Sequence, residues 1–321
     1  MLIDGLQCGF YDREVFEELR RGGFTCVTPT LGFWEGTHES LDALGQWRDL
    51  ARECADVVLI ARSTADILKA HESDRVAVLL GFQNSNCLEG RIRYVELFAE
   101  LGVRVMQLTY NNQNELGGSC YEEVDGGLSR FGREVVREMN RSRILVDLSH
   151  VGEKTTLDTI EWSQKPVAVT HANAASLFPH RRNKSDAVIK ALGEKGGIIG
   201  CVTYRNITPV AACDSIESWC EMVARTVDIA GIDHVGIGTD LIHKGNRAYL
   251  DWMRMGRWSR SVNYGAGTAA SSGPVADPRW LTQPSDLAKV RDGLERVGFT
   301  EEECEKITAG NWLRVYAEVF E

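Results

Sequence analysis

The 321-residue chain has no stretch of about 18 consecutive apolar residues, and so offers no candidate for a membrane-spanning helix. It has only 7 prolines and no low-complexity tract, which excludes collagen-like and disordered classes. It also lacks any Lys/Arg-rich run. With 36 basic against 46 acidic residues the net charge is −10, which argues against nucleic acid or an anionic membrane as partner and leaves a small molecule. The opening MLIDGLQCGFYDREVFEELRRG has neither a basic n-region nor an apolar h-region, so a soluble, cytoplasmic protein is expected. Nine scattered cysteines, never spaced C-x-x-C, fit reduced thiols rather than a disulfide frame or zinc knuckle. G-x-S-x-G, H-E-x-x-H and phosphate-cradling loops are absent as well.

What the chain does have is alternation. Short β-branched runs, at Leu2–Ile3, Thr25–Thr28, Val76–Phe82, Arg104–Thr109, Ile144–Leu148, Pro166–Thr170, Gly197–Val202 and His234–Gly238, alternate with amphipathic helical stretches such as Arg13–Arg21, Leu41–Cys54 and Ile216–Ala230. Several runs are apolar on both faces, as buried parallel strands should be. Eight strand–helix units predict an α/β fold of the (β/α)8 TIM-barrel type, a single domain over residues 1–321. A doubly wound sheet is the competing fold, disfavoured because no G-x-G-x-x-G follows the first strand. Two stretches break the repeat: the polar, Gly-rich Asn111–Ser129 after the fourth strand and the Trp/Gly/Ser-rich Asp251–Pro284 after the eighth. Both follow strand C-termini, the face where barrels build active sites, and both read as substrate-facing loops. Glu301–Phe320 is expected to close the barrel bottom or join the outer ring.

Polar residues where an apolar strand stops are the natural site candidates. These are Gln83 in VLLGFQN, His150 in ILVDLSH, His171 in VAVTHAN and Asp240 in HVGIGTD. Two histidines and an aspartate make an N/N/O set with an open position, the format of a catalytic divalent-metal site. His38, His71, His180, His234 and His243 read as structural. Asp147 lies three residues before His150 and by alternation points the other way, which suggests a buried role. Arg181 and Arg182 either grip a substrate carboxylate or cap the following helix. Cys8 stands just after the first strand, where it would face the same pocket, although cysteines commonly serve as small buried hydrophobes.

The series DGLQ at Asp4, GFQN at Gly81, LTYNNQN at Leu108, DLSH at Asp147, THAN at Thr170, RRNKSD at Arg181, GIGTD at Gly236 and GNWLRV at Gly310 resembles the membrane dipeptidase (renal dipeptidase-like) family over nearly the whole chain. The resemblance implies a metal-dependent amidohydrolase-type barrel, usually dimeric, that uses metal-activated water to cleave the amide of a dipeptide. It makes His150 and His171 ligands of one metal, Asp240 the residue that manages the proton of the attacking water, and Arg182 the grip on the substrate carboxylate. The departures all strike the family's other metal site. Leu6 and Cys8 stand where the family has H-x-D, Gln83 replaces a bridging glutamate, and Tyr110 replaces a substrate-contacting histidine. One divalent ion is therefore expected rather than two, with zinc suited to His150, His171 and help from Gln83 or Asp240.

These readings converge on a membrane-dipeptidase-like hydrolase of an amide in a small carboxylate-bearing substrate, such as a dipeptide or modified amino acid. Tyr110 would hydrogen-bond the developing oxyanion. Two alternatives stay open: a non-hydrolytic small-molecule binding protein, and a metal-free acid–base enzyme on the same barrel.

Overall fold

The computed structural model describes residues 1–257, 259–261, 265 and 275–321. Its centre is a sheet in which every strand pair is parallel. The strands are β1 (Ile3–Gly9), β2 (Cys26–Pro29), β3 (Val58–Ile60), β4 (Val76–Val78), β5 (Leu80–Phe82), β6 (Val103–Gln107), β7 (Leu145–Asp147), β8 (Ala168–Val169), β9 (Ile198–Cys201), β10 (Val235–Ile237) and β11 (Leu241–His243). Hydrogen bonding runs β3-β4-β2-β1-β10-β9-β8-β7-β6-β5, with β11 also on β1. Because β4 and β5 are halves of one interrupted strand, pairing with β2 and β6 respectively, the path returns on itself as an eight-position barrel. Helices cover its outside, as the expected TIM-barrel-like fold requires. No helix of the described residues is long and apolar enough to cross a membrane.

All eight expected strands are present, and the helices Arg13–Arg21 and Ile216–Ala230 start and stop where the sequence places them. Three differences concern the site. β1 is seven residues long, so Gln7 and Cys8 are strand residues rather than residues of a following loop. After β10 the chain kinks at Asp240, whose φ of 61° is left-handed, and then pairs again with β1 as β11. After β6, Asn111 also takes a left-handed φ of 58° and opens the irregular segment that leads to the helix Arg130–Arg141. The expected Asp251–Pro284 loop begins as the helix Arg247–Met255, and much of the rest lies outside the described residues.

The barrel is plugged from below by the C-terminal helix Asn311–Phe320. Trp312, Tyr316 and Phe320, four residues apart and so on one helix face, stack in a column and pack against Ile3, Cys26, Ala77 and Val105 of the strands. Trp312 Nε1 donates to the Ile237 carbonyl at 3.0 Å. Gly5 and Gly236 make room for the indole: a Cβ on either would lie 2.3 or 2.5 Å from its atoms. Trp312→Ala should accordingly cost about 3–5 kcal/mol of stability in urea unfolding, and an unchanged midpoint would remove the plug from this account.

Candidate active site

The C-terminal ends of the strands open into a pocket with about 650 Å³ of empty space, part of it open to solvent. Its wall includes Gln83, Tyr110, His150, Arg182 and Asp240, so one pocket gathers these candidates from five different strand ends.

The histidine pair is held from behind. β7 ends at Asp147, and the chain turns immediately, so strand alternation does not extend to His150. The buried Asp147 carboxylate accepts from Ser149 N (3.0 Å), Ser149 Oγ (2.6 Å), Thr170 N (3.0 Å) and Thr170 Oγ1 (2.9 Å). With its proton given to Asp147, Thr170 Oγ1 can only accept from His171 Nδ1, 2.8 Å away. On the other side His150 Nδ1 lies 2.7 Å from Asn111 Oδ1, to which it donates. Both Nδ1 atoms are therefore protonated, and both Nε2 atoms present lone pairs. These face each other at 3.1 Å.

Neither imidazole relieves that repulsion by taking a proton at neutral pH. Burial pushes both well below the usual histidine range, and the Arg182 cation pushes the same way. Two facing neutral donors 3.1 Å apart can both reach one cation at about 2.0–2.1 Å. Gln83 supplies an oxygen of the right kind: its Nε2 donates to Thr30 Oγ1 at 2.9 Å, while its buried Oε1 meets no donor. The donor set thus fits a single divalent ion. No group of three His, Cys, Asp or Glu side chains gathers among the described residues, so of the two expected helpers Gln83 and Asp240 the latter is not clustered with the histidines.

Asp240 sits instead against Cys8, whose Sγ is 3.8 Å from Oδ1. Burial raises its carboxyl to about 7, with Arg182 pulling it part of the way back. Burial and the Asp240 charge push the Cys8 thiol well above its usual range, which makes it a neutral neighbour and no nucleophile. A second buried carboxylate fixes Asp240. Asp4 accepts from Thr239 N at 2.8 Å and from the Thr239 hydroxyl, just as Asp147 does from Thr170.

Arg182 and Arg181 part company. Arg181 is exposed and donates to the Tyr121 carbonyl, whereas Arg182 is buried with its guanidinium on the carbonyls of Ser149 and His171. Among the described residues no carboxylate lies within ion-pair distance of Arg182, so a buried cation faces the pocket without a counter-ion. Tyr110 lays its ring 4.2 Å from that of His150 and packs on Phe33 and Trp34. Burial pushes its phenol well above 10, so it remains a donor. His243 is structural as expected, bonded to Gln7 Oε1 at 2.9 Å.

Sequence reasoning missed Asn111, Thr170 and Ser149. The one available signal was that a hydroxyl residue precedes each histidine, in SH and TH. It also missed Tyr121, Tyr204 and Arg254, which share the pocket wall.

The sequence profile described as membrane dipeptidase (peptidase family M19) matches residues 17–250. Dipeptidase tcpJ of Claviceps purpurea is 32% identical over 210 residues, which cover 64% of this chain and 48% of that protein. The chain spans about half the length of the curated relatives it matches. Among solved structures, an amidohydrolase from Pseudomonas aeruginosa superposes with a TM-score of 0.94 at 36% identity, covering 100% of this chain and 96% of that one. A metallo peptidase from Rhodobacter sphaeroides, liganded with a phosphinate mimic of L-Ala-D-Ala, shares the fold at TM-score 0.81 and 18% identity, covering 99% of each chain.

The raised carboxyl of Asp240 has a stability signature. Its folded pKa of about 7 exceeds the unfolded value, so the folded state keeps a proton that the unfolded chain loses, and stability falls as pH rises from about 4 through 7. In metal-free protein, Asp240→Asn should therefore match wild type near pH 4 and exceed it by about 1–3 kcal/mol at pH 8, a range reduced for residual pocket water. Parallel pH–stability curves for the two proteins would contradict the raised value.

Proposed function

The chain belongs to the membrane dipeptidase family, peptidase family M19, and from that premise we propose that it hydrolyses an amide bond in a small carboxylate-bearing substrate such as a dipeptide. The observation that carries this reading is the pair of imidazole lone pairs facing each other at 3.1 Å, with both Nδ1 atoms already committed. His150 and His171, with the Gln83 amide oxygen, would hold one divalent ion, and zinc suits two imidazoles and an oxygen. Such an ion supplies Lewis acidity towards a carbonyl oxygen and makes water a better nucleophile near neutral pH.

The residues of the chain supply the rest. Arg182 binds the substrate carboxylate through a guanidinium already held in place by two backbone carbonyls, so little side-chain freedom is lost on binding. Asp240, with a carboxyl near 7, takes a proton from the attacking water and returns it to the leaving amine. The Tyr110 hydroxyl, which has no partner among the described residues, donates to the oxygen on which charge develops. The rings of Phe33 and Trp34 back Tyr110 and keep water from that side. Nine free cysteines, eight of them buried, support a reducing, cytoplasmic setting. The family resemblance carries a homodimer, which sedimentation of the native chain checks.

Protein purified without chelators should carry about one equivalent of metal per chain by elemental analysis, and a His150→Ala, His171→Ala double variant should carry none. Absence of metal in the wild type, even after incubation with zinc, would sink this arrangement, and full activity after exhaustive chelation would favour metal-free acid–base chemistry.

Because Asp240 must be ionised to accept a proton, kcat/KM should climb as pH rises through about 7. Asp240→Asn should lower kcat by about 100-fold or more while the circular-dichroism spectrum stays native. A variant that retains wild-type turnover would strip Asp240 of this role.

A further inference from the structure

The turn that carries His150 lies beyond the end of β7, outside the strand ladder. Donors from elsewhere in the chain hold its carbonyls instead. Ser149 O accepts from the Arg182 guanidinium, and His150 O from Cys120 N at 2.9 Å and Ser119 Oγ at 2.8 Å. Val151 O accepts from Lys184 Nζ at 2.7 Å, with Thr156 Oγ1 at a weaker 3.4 Å.

Lys184 is the donor in this group to which the site chemistry gives no task. Only 3% of it is exposed, it does not line the pocket, and Val151 O is the one acceptor its ammonium meets among the described residues. Burial, with Arg182 adding to it, lowers the ammonium to about 8, so it is still a cation at pH 7. That charge disfavours a second cation at His150 and His171, both of which it pushes towards the neutral form. A buried cation without a carboxylate beside it also detracts from stability. Charge alone therefore gives Lys184 no reason to stand here, whereas its geometry does.

The main chain of Lys184 is fixed by the other histidine-bearing segment. Lys184 N donates to Asn173 O at 3.0 Å, and Asn173 lies two residues beyond His171. Asn183, the residue before Lys184, strengthens the link, because its Oδ1 accepts from Asn173 N, also at 3.0 Å. Lys184 thus reaches from the His171 segment, along its own side chain, to the carbonyl next to His150. Building on the metal-binding reading above, we propose that Lys184 is a positioning residue: it ties the two histidine-bearing turns together and so holds the two Nε2 atoms at the separation from which one ion can be shared. It acts only through the backbone it holds.

Zinc affinity of the purified full chain, measured at pH 7 by competition with a chromophoric chelator, separates geometry from charge because the two predict opposite signs. If Lys184 acts by its charge, Lys184→Met binds zinc more tightly than wild type. If it acts by position, Lys184→Met binds about 10–100-fold more weakly, and Lys184→Arg, which keeps a cationic donor, retains most of the affinity. The urea midpoint of Lys184→Met should stay near that of wild type, since an apolar side chain of similar length replaces a buried cation. An affinity loss that merely tracks a fall in that midpoint overturns the proposal, as does zinc affinity equal to or above the wild-type value. Lys184→Leu gives the same comparison if the methionine variant does not fold. A wild type that binds no zinc removes the metal-binding reading, and metal-free protein then decides the role of Lys184 on its own. In nuclear magnetic resonance spectra of isotope-labelled histidine, the protected Nδ1–H signal of His150 should vanish in Lys184→Met while that of His171 persists. Loss of charge alone would shift both signals and abolish neither, and that outcome overturns the proposal.

Discussion

The site depends on two buried carboxylates that never touch the pocket. Asp147 and Asp4 each accept the backbone N–H and the side-chain hydroxyl of a threonine on the neighbouring strand, Thr170 and Thr239 respectively. In both cases the next residue in the chain belongs to the site: His171, after Thr170, meets His150 Nε2, and Asp240, after Thr239, lines the pocket. A fully buried carboxylate is costly unless donors surround it, so the geometry that satisfies Asp4 and Asp147 leaves the threonines little freedom. The pocket residues inherit that rigidity. At Thr170 the same constraint also fixes chemistry, because the hydroxyl that gives its proton to Asp147 must accept one from His171 and thereby sets the tautomer of the ring.

The two ends of the barrel share the work of holding this arrangement. At the bottom, the aromatic column of Trp312, Tyr316 and Phe320 fills the interior where the strands are too close for large residues, which is why glycine stands at positions 5 and 236. At the top, left-handed backbone at Asn111 and Asp240 turns two side chains inward that an extended strand would direct elsewhere. Asparagine and aspartate tolerate this conformation best among non-glycine residues, so the strain is modest and sits where a functional side chain benefits.

Much of the barrel was legible because buried parallel strands and amphipathic helices differ in period and composition. Val58–Ile60 and Leu241–His243 escaped notice for a physical reason. Three residues carry no periodicity, and the second of these strands resumes pairing only after the kink at Asp240. Within the pocket, residues at strand ends could be named from sequence because a barrel brings strand ends together. Their partners could not. Asn111 reaches His150 across 39 positions of sequence, and Asp147 reaches Thr170 across 23, contacts that only the closed barrel creates. Convergence of strand ends brings residues to one end of the barrel but does not set contact distances there, and no group of three His, Cys, Asp or Glu side chains gathers among the described residues.

Arg182 ties the electrostatics of the pocket into one system. Its charge adds to the burial that keeps His150 and His171 neutral, and holds Asp240 below the value that burial alone would give. A substrate carboxylate seated on the guanidinium cancels much of that field, and beside buried groups the cancellation is felt more strongly than in open water. On the proposed reading, Asp240 then becomes a stronger base at the moment the substrate arrives, while the imidazoles are relieved of a nearby cation that competes with any metal they hold. A buried guanidinium without a counter-ion is a poor contribution to stability. It is intelligible as the half of an ion pair whose other half is brought by the substrate, and whose formation adjusts the acid–base residue that acts next.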